Sequence, residues 1–181
     1  MPEIRVYIAQ SLDGFIATAD GGVDWLEAFN DVDYGYDDFL AEIGTIVMGR
    51  ATYDQVRGFG AWPYPDHPTW VVTSRRLADA PDGVAAWRDD LGDLATRLRD
   101  GAHDVWLLGG AETIAGFLDL GAVDRLELFV MPVVLGDGIR LFGPSAAAPD
   151  LVCAAARRYD NGVARLDYEV AALPSKPSPT R

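Results

Sequence analysis

The chain has 181 residues, and 28 acidic against 15 basic side chains leave a net charge of −13. That length suits one domain with a single core, and the acidic surplus repels phosphate backbones, which argues against a nucleic-acid partner. One cysteine, Cys153, and two histidines, His67 and His103, leave no Cys/His set of zinc-ligand size, so no metal is expected, and no apolar run reaches the roughly 20 residues of a membrane span. The start, MPEIRVYIAQ, lacks a basic segment followed by a long apolar one, so the expected location is the cytoplasm.

The first expected element is a strand over IRVYIA (4–9), closed by SLDG, where Asp13-Gly14 signals a turn. Between Trp25 and Ile43 the apolar residues Trp25, Leu26, Phe29, Phe39, Leu40 and Ile43 suit helical turns interrupted by NDVDYGYDD. TIVMG (45–49) reads as a buried strand running into a short helix, RATYDQV, with Arg50 at its start. TWVVTS (69–74) is a further strand, DDLGDLATRLRDG (89–101) a helix with a glycine stop, and DVWLLGG (104–110) a strand ending in two glycines. AETIAGFLDLG then has helical spacing, RLELFVMPVVLG (125–136) is extended, and segments 151–160 and 163–172 form a hairpin joined by Asn161-Gly162. Strands alternating with helices predict an α/β domain over 1–173, with a mixed, mostly parallel sheet, helices on both faces and a C-terminal antiparallel hairpin. PSKPSPTR (174–181), with three prolines and the sole lysine, Lys176, is expected to be a disordered tail.

In such sheets ligands sit beyond the carboxyl ends of the strands, where helix N-termini offer free N–H groups to anions. Three loops qualify: Gly49-Arg50-Ala51-Thr52, Thr73-Ser74-Arg75-Arg76, and Gly109-Gly110-Ala111-Glu112-Thr113. Together they could cradle an elongated anion, with Arg50, Arg75 and Arg76 as candidate phosphate partners because a guanidinium can donate two hydrogen bonds at once. Each loop alone is equally a helix cap with a surface arginine, and no GxGxxG fingerprint is present. Trp62 and Tyr64, among prolines in WPYPDHP, are candidates to line a pocket for a flat ring. His67 in that loop reads as a surface residue, Asp13 as a turn residue, Glu112 as an acid favouring a helix start, and Cys153 as a small core residue.

Read in order, IAQSLDGFIA (8–17), IVMGRATYD (46–54), VVTSR (71–75), VWLLGGAETIAGFL (105–118) and MPVVLGDGIRLF (131–142) resemble the dihydrofolate reductase-like fold. Within it the chain resembles the reductase domain of riboflavin biosynthesis, as a stand-alone protein without the deaminase domain. The resemblance implies a three-layer fold and an NADPH-dependent reductase. By that similarity Ala9 and Ile16 flank the nicotinamide, and Gly49, Arg50 and Thr52 lie near the phosphates. Ser74 and Arg75, helped by Arg76, surround the adenosine 2′-phosphate. Leu108 and Gly109 to Thr113 cover the pyrophosphate and nicotinamide side, with Gly109-Gly110 where the family often has a cis bond.

Reduction of such a substrate needs a proton as well as a hydride. Reductases of this fold place an acid on the first helix, and counting back from MGR points to Asp33, with Asp37 one turn on if the segment is helical. The alternative is a solvated acidic turn ahead of a helix. The expected activity is hydride transfer to a pyrimidine- or pterin-like heterocycle or its ribosyl derivative, similar to 5-amino-6-(5-phosphoribosylamino)uracil reductase. Against a phosphoribosyl substrate, the only evident cations outside the cofactor loops are Arg5, Arg57 and Arg140. Dihydrofolate reduction and a non-catalytic NADPH-binding protein are the alternatives. A homodimer is expected through the apolar late strands.

Overall fold

Each short β-branched or aromatic run finds a partner of its own kind, and together they make an eight-stranded sheet. The computed structural model describes residues 1–143 and 149–171. In chain order the elements are β1 (Ile4–Ser11), β2 (Phe15–Ala17), a 3-10 turn over Asp24–Phe29, α1 (Tyr36–Glu42), β3 (Ile43–Gly49) and α2 (Arg50–Gly58). Then come β4 (Thr69–Val72), β5 (Val84–Trp87), α3 (Leu91–Arg99), β6 (Asp104–Gly109) and α4 (Ala111–Asp119). β7 (Arg125–Met131), β8 (Ile139–Arg140), β9 (Leu151–Arg158) and β10 (Ala164–Val170) complete the described chain. The sheet order is β5-β4-β3-β6-β1-β7-β10-β9, with β2 and β8 forming a separate antiparallel ribbon. Pairing from β5 to β7 is parallel, and β10 turns the direction to give the antiparallel edge expected from Asn161-Gly162.

The two-residue period of a strand sorts the core into two layers. Ile4 and Val6 of β1, Val47 of β3, Val105 and Leu107 of β6, and Leu126 and Leu128 of β7 pack against Leu94 and Leu98 of α3 and Ile114 and Phe117 of α4. The alternate residues Ile46, Met48 and Trp106 meet Phe39 of α1 and Tyr53 of α2 on the opposite face. Burying a side chain of this size contributes about 1.5–3 kcal/mol, so both faces are tied to their helices by several such contacts. Also on this second face, Arg5 is buried, and its guanidinium donates to Glu127, Glu42 and Asp104.

The helical segment between Trp25 and Ile43 is divided. Gly35 sits at φ 80° and opens α1, while the Asp33 carboxylate accepts from Gly35 N, so Asp33 lies outside the helix and does not share a helical face with Asp37. Ile43 ends the helix in extended backbone and starts β3 instead. The extended run 125–136 stops as a strand at Met131, since Pro132 has no N–H to donate. Cys153 is exposed, not in the core, because β9 is the edge strand and all eight of its residues are exposed. Residues 174–181, including Lys176, lie outside the described residues.

Candidate active site

Two adjoining cavities open along the carboxyl ends of the parallel strands. The larger, of about 1080 Å³, is walled by the segments that follow β1, β3, β4 and β6, and Ile16, Ala17 and Ile139 of the small ribbon close one side. It brings together Ala9, Ile16, Gly49, Arg50, Ala51, Thr52, Thr73, Ser74, Arg75, Leu108, Gly110, Ala111, Glu112 and Thr113. Helices α2 and α4 both start here, at Gly49 and Gly110, and neither start is capped by a side chain, so their first N–H groups are available to an anion. The two starts approach closely. A Cβ at position 49 would stand 2.6 Å from Thr113 Oγ1, and one at 110 would stand 3.2 Å from Thr52 Oγ1, so glycine is what lets the backbones line the same cleft.

Arg50 is aligned by Asp54, whose two carboxylate oxygens accept from its Nε at 2.8 Å, and by the Arg76 carbonyl at 3.2 Å. Arg76 thus braces Arg50 through its backbone and is not among the residues lining the cleft. Beyond β4, Thr73 Oγ1 accepts from Arg75 N at 3.1 Å, which shapes a tight turn presenting the exposed Ser74 and Arg75. The Gly109-Gly110 bond is cis, placed where β6 passes into α4. These features fit a dinucleotide phosphate: unpaired N–H groups at two helix starts, and arginines beside them.

The smaller cavity, of about 370 Å³, is aromatic. Tyr7, Tyr34, Tyr36, Tyr64, Trp106 and Phe129 contribute rings to its wall. Burial raises the Tyr7, Tyr36 and Tyr64 phenols above their ordinary range, so they stay neutral. Tyr36 and Tyr64 hydrogen-bond each other, and Tyr34 is pinned by donating to Phe29 O at 3.0 Å and accepting from Asn161 Nδ2 at 2.6 Å. Ile8, Ala9, Leu26 and Leu108 belong to the walls of both cavities and form a seam between them.

Of the two ring candidates in the proline loop, Tyr64 lines the smaller cavity, while Trp62 stands behind it, packed edge-on at 5.5 Å and donating to Tyr64 O at 3.1 Å. Asp33 and Asp37 are exposed and line neither cavity. His67 lines neither as well. Asp13 accepts from Ser11 Oγ, Leu135 N and Gly136 N, tying the SLDG turn to the 132–136 loop. Sequence reading missed Tyr7, Trp106 and Phe129. The alternation of a strand could have found the first two, because Tyr7 and Trp106 stand two residues before Ala9 and Leu108 and share their faces.

A model of the RibD C-terminal domain matches residues 2–165. The chain belongs to the RibD C-terminal domain family. Among relatives, it is 37% identical over 140 residues to the protein YwjB of Bacillus subtilis strain 168, covering 76% of this chain and 80% of that one. Among solved structures, a candidate riboflavin biosynthesis protein from Shewanella sp. PV-4 superposes with a TM-score of 0.83 at 29% identity, over 93% of this chain and 99% of that one. The dihydrofolate reductase of Enterococcus faecalis, solved with NADP(H), superposes with a TM-score of 0.63 at 20% identity, over 93% and 96% of the two chains. That last likeness establishes the dihydrofolate reductase-like fold. Both cavities lie along the carboxyl ends of the strands, where ligands sit in open α/β sheets.

Proposed function

We propose that the protein is an NADPH-dependent reductase acting on a pyrimidine- or pterin-like heterocycle. The observation that carries this reading is the seam of Ile8, Ala9, Leu26 and Leu108, which joins a cleft suited to a dinucleotide with a cavity suited to a flat ring. Arg75 and Ser74 would hold the 2′-phosphate. Gly49, Arg50, Thr52 and the start of α4 at Gly110 to Thr113 would hold the pyrophosphate, and Ala9 and Ile16 would flank the nicotinamide. When bound, the cofactor supplies the hydride. Rings on the wall of the smaller cavity orient the substrate face-on and keep bulk water from the reacting carbon. Among the described residues no carboxylate lines that cavity, so the proton is proposed to come from water admitted at its mouth. A true dihydrofolate reductase is disfavoured on the same ground.

The test is a titration of the purified protein with NADPH and with NADH, following quenching of its five tryptophans. Tighter binding of NADPH, with the preference lost in Arg75→Ala, supports the cradle. No binding of either nucleotide at high micromolar concentration removes the reading. Binding without oxidation of NADPH across a panel of pyrimidines and pterins would favour the non-catalytic nucleotide-binding alternative. The assembly proposed is a homodimer through β9, whose eight residues, Leu151 and Val152 among them, are uncovered.

A further inference from the structure

We propose that the aromatic cavity selects an uncharged planar heterocycle and rejects the phosphorylated form of the same ring. This rests on the reductase reading for why a ring is held beside the seam, and adds the class of substrate. None of the residues lining the cavity is Asp, Glu, Lys, Arg or His. The polar side chains it offers are tyrosine phenols and the carboxamide of Asn30. Asn30, exposed at the mouth, has both a donor and an acceptor to read a lactam edge.

The surroundings carry the argument further. The segment that walls the cavity interleaves its lining residues with acids: Glu27 follows Leu26, Asp31 follows Asn30, Asp33 precedes Tyr34, and Asp37 and Asp38 follow Tyr36. All five acids are exposed, and from Val6 to Gly49 the sequence contains no lysine, arginine or histidine. Two guanidiniums packed near the lining rings, Arg165 and Arg5, are already engaged. Arg165 lies over the Phe129 ring at 5.4 Å and the Tyr7 ring at 5.9 Å, but it donates to Glu127 and Asp167, each at 2.8 Å. Arg5 is committed to Glu127, Glu42 and Asp104. Arg57 donates to the Asp79 carbonyl at 2.7 Å, and Arg140 lies over the Phe15 ring at 4.5 Å, so none of the three cations suggested by sequence reaches the cavity. A phosphate held in this cavity would lose water and find no cation among the lining residues, whose chain neighbours include five exposed carboxylates. A neutral ring meets stacking and apolar surfaces, with phenols and the Asn30 carboxamide to hydrogen-bond its edge.

The experiment uses the intact protein without nicotinamide nucleotide and follows the quenching of flavin fluorescence. Riboflavin and FMN differ only by a phosphate, and lumiflavin lacks the ribityl chain and so reports the effect of bulk. At low ionic strength riboflavin is expected to bind at least about tenfold tighter than FMN, with the gap closing as salt screens the exposed rim. The triple variant Asp33→Asn, Asp37→Asn, Asp38→Asn should narrow that gap without salt. Tyr64→Ala should abolish lumiflavin binding, and Tyr64→Leu, which removes the ring but keeps apolar bulk, should weaken it severalfold if the alanine variant does not fold. FMN binding as tightly as riboflavin, flavin binding indifferent to Tyr64, or no binding of lumiflavin would each overturn the proposal. Failure of the NADPH titration with the flavin pattern intact would instead sink the cofactor reading alone.

Discussion

The Arg5 guanidinium and the Glu127 carboxylate, on neighbouring parallel strands, meet in two hydrogen bonds of 2.9 Å, with Arg5 5% and Glu127 2% exposed. Arg165 also donates to Glu127, so this carboxylate stands between two cations on the face that carries Tyr7 and Phe129. Replacing Glu127 by Gln leaves the buried Arg5 without its bidentate partner and is expected to cost about 3–5 kcal/mol. Urea unfolding measures this. The paired change Arg5→Met with Glu127→Leu should restore much of the loss, because apolar side chains of similar volume avoid the desolvation of both charges.

Gly138 is another place where the backbone has no room. At φ 150° a Cβ there would stand 2.2 Å from the Ala17 carbonyl oxygen. Gly138→Ala should therefore part the ribbon of β2 and β8, with strain of about 1–3 kcal/mol from the backbone alone. Since Ile16 and Ile139 wall the larger cleft, nucleotide affinity should fall severalfold while far-ultraviolet circular dichroism shows the main sheet intact.

If Asp33 or Asp37 donated the proton, the corresponding asparagine variants would lose about 10²–10⁴-fold in turnover. Their exposure and their absence from both cavities predict instead that each variant retains turnover within about threefold, measured with saturating nucleotide on whichever heterocycle is turned over.

The Asp13 carboxyl is held down to about 2, from an ordinary 3.8, chiefly by the Ser11 hydroxyl and also by the Gly136 and Leu135 N–H groups. A lowered pKa in the folded state adds stability that is complete above about pH 4 and drains away as pH falls towards 2. Asp13→Asn should flatten the acid limb of the stability curve in that window. Unfolding midpoints in urea across pH 2–5 would show it, and a variant as acid-sensitive as the parent would contradict the assignment.

An edge strand with both faces uncovered invites pairing. Light scattering at micromolar concentration should give twice the 19.6 kDa chain mass, and Val152→Glu, which places a charge on a residue 58% exposed, should shift the protein to the monomer. A monomeric mass for the unaltered chain would refute the dimer.

Local patterns made most of the sheet legible. Apolar runs marked β1, β3, β4, β6 and β7, and Asn161-Gly162 marked the hairpin, because each feature is decided within a few residues. The four residues of β5 and the two of β8 carried too little pattern, and β8 pairs with β2, far earlier in the chain. In the site, the glycine and arginine loops at the strand ends were legible for the same local reason. Tyr7, Trp106 and Phe129 were not, since they come from three strands and become neighbours only through the order β6-β1-β7.

The seam has one more consequence, for how such a protein could diversify. Most of the larger cleft is built by β3–α2, β4 and β6–α4, and much of the smaller cavity by the stretch from Leu26 to Tyr36 together with Tyr64. The two cavities therefore draw largely on separate lengths of chain. On the proposed reading, changes in 26–36 would reshape the smaller cavity and leave most of the larger cleft untouched. Only Ile8, Ala9, Leu26 and Leu108 serve both, and these are the positions where innovation on one side would be constrained by the other.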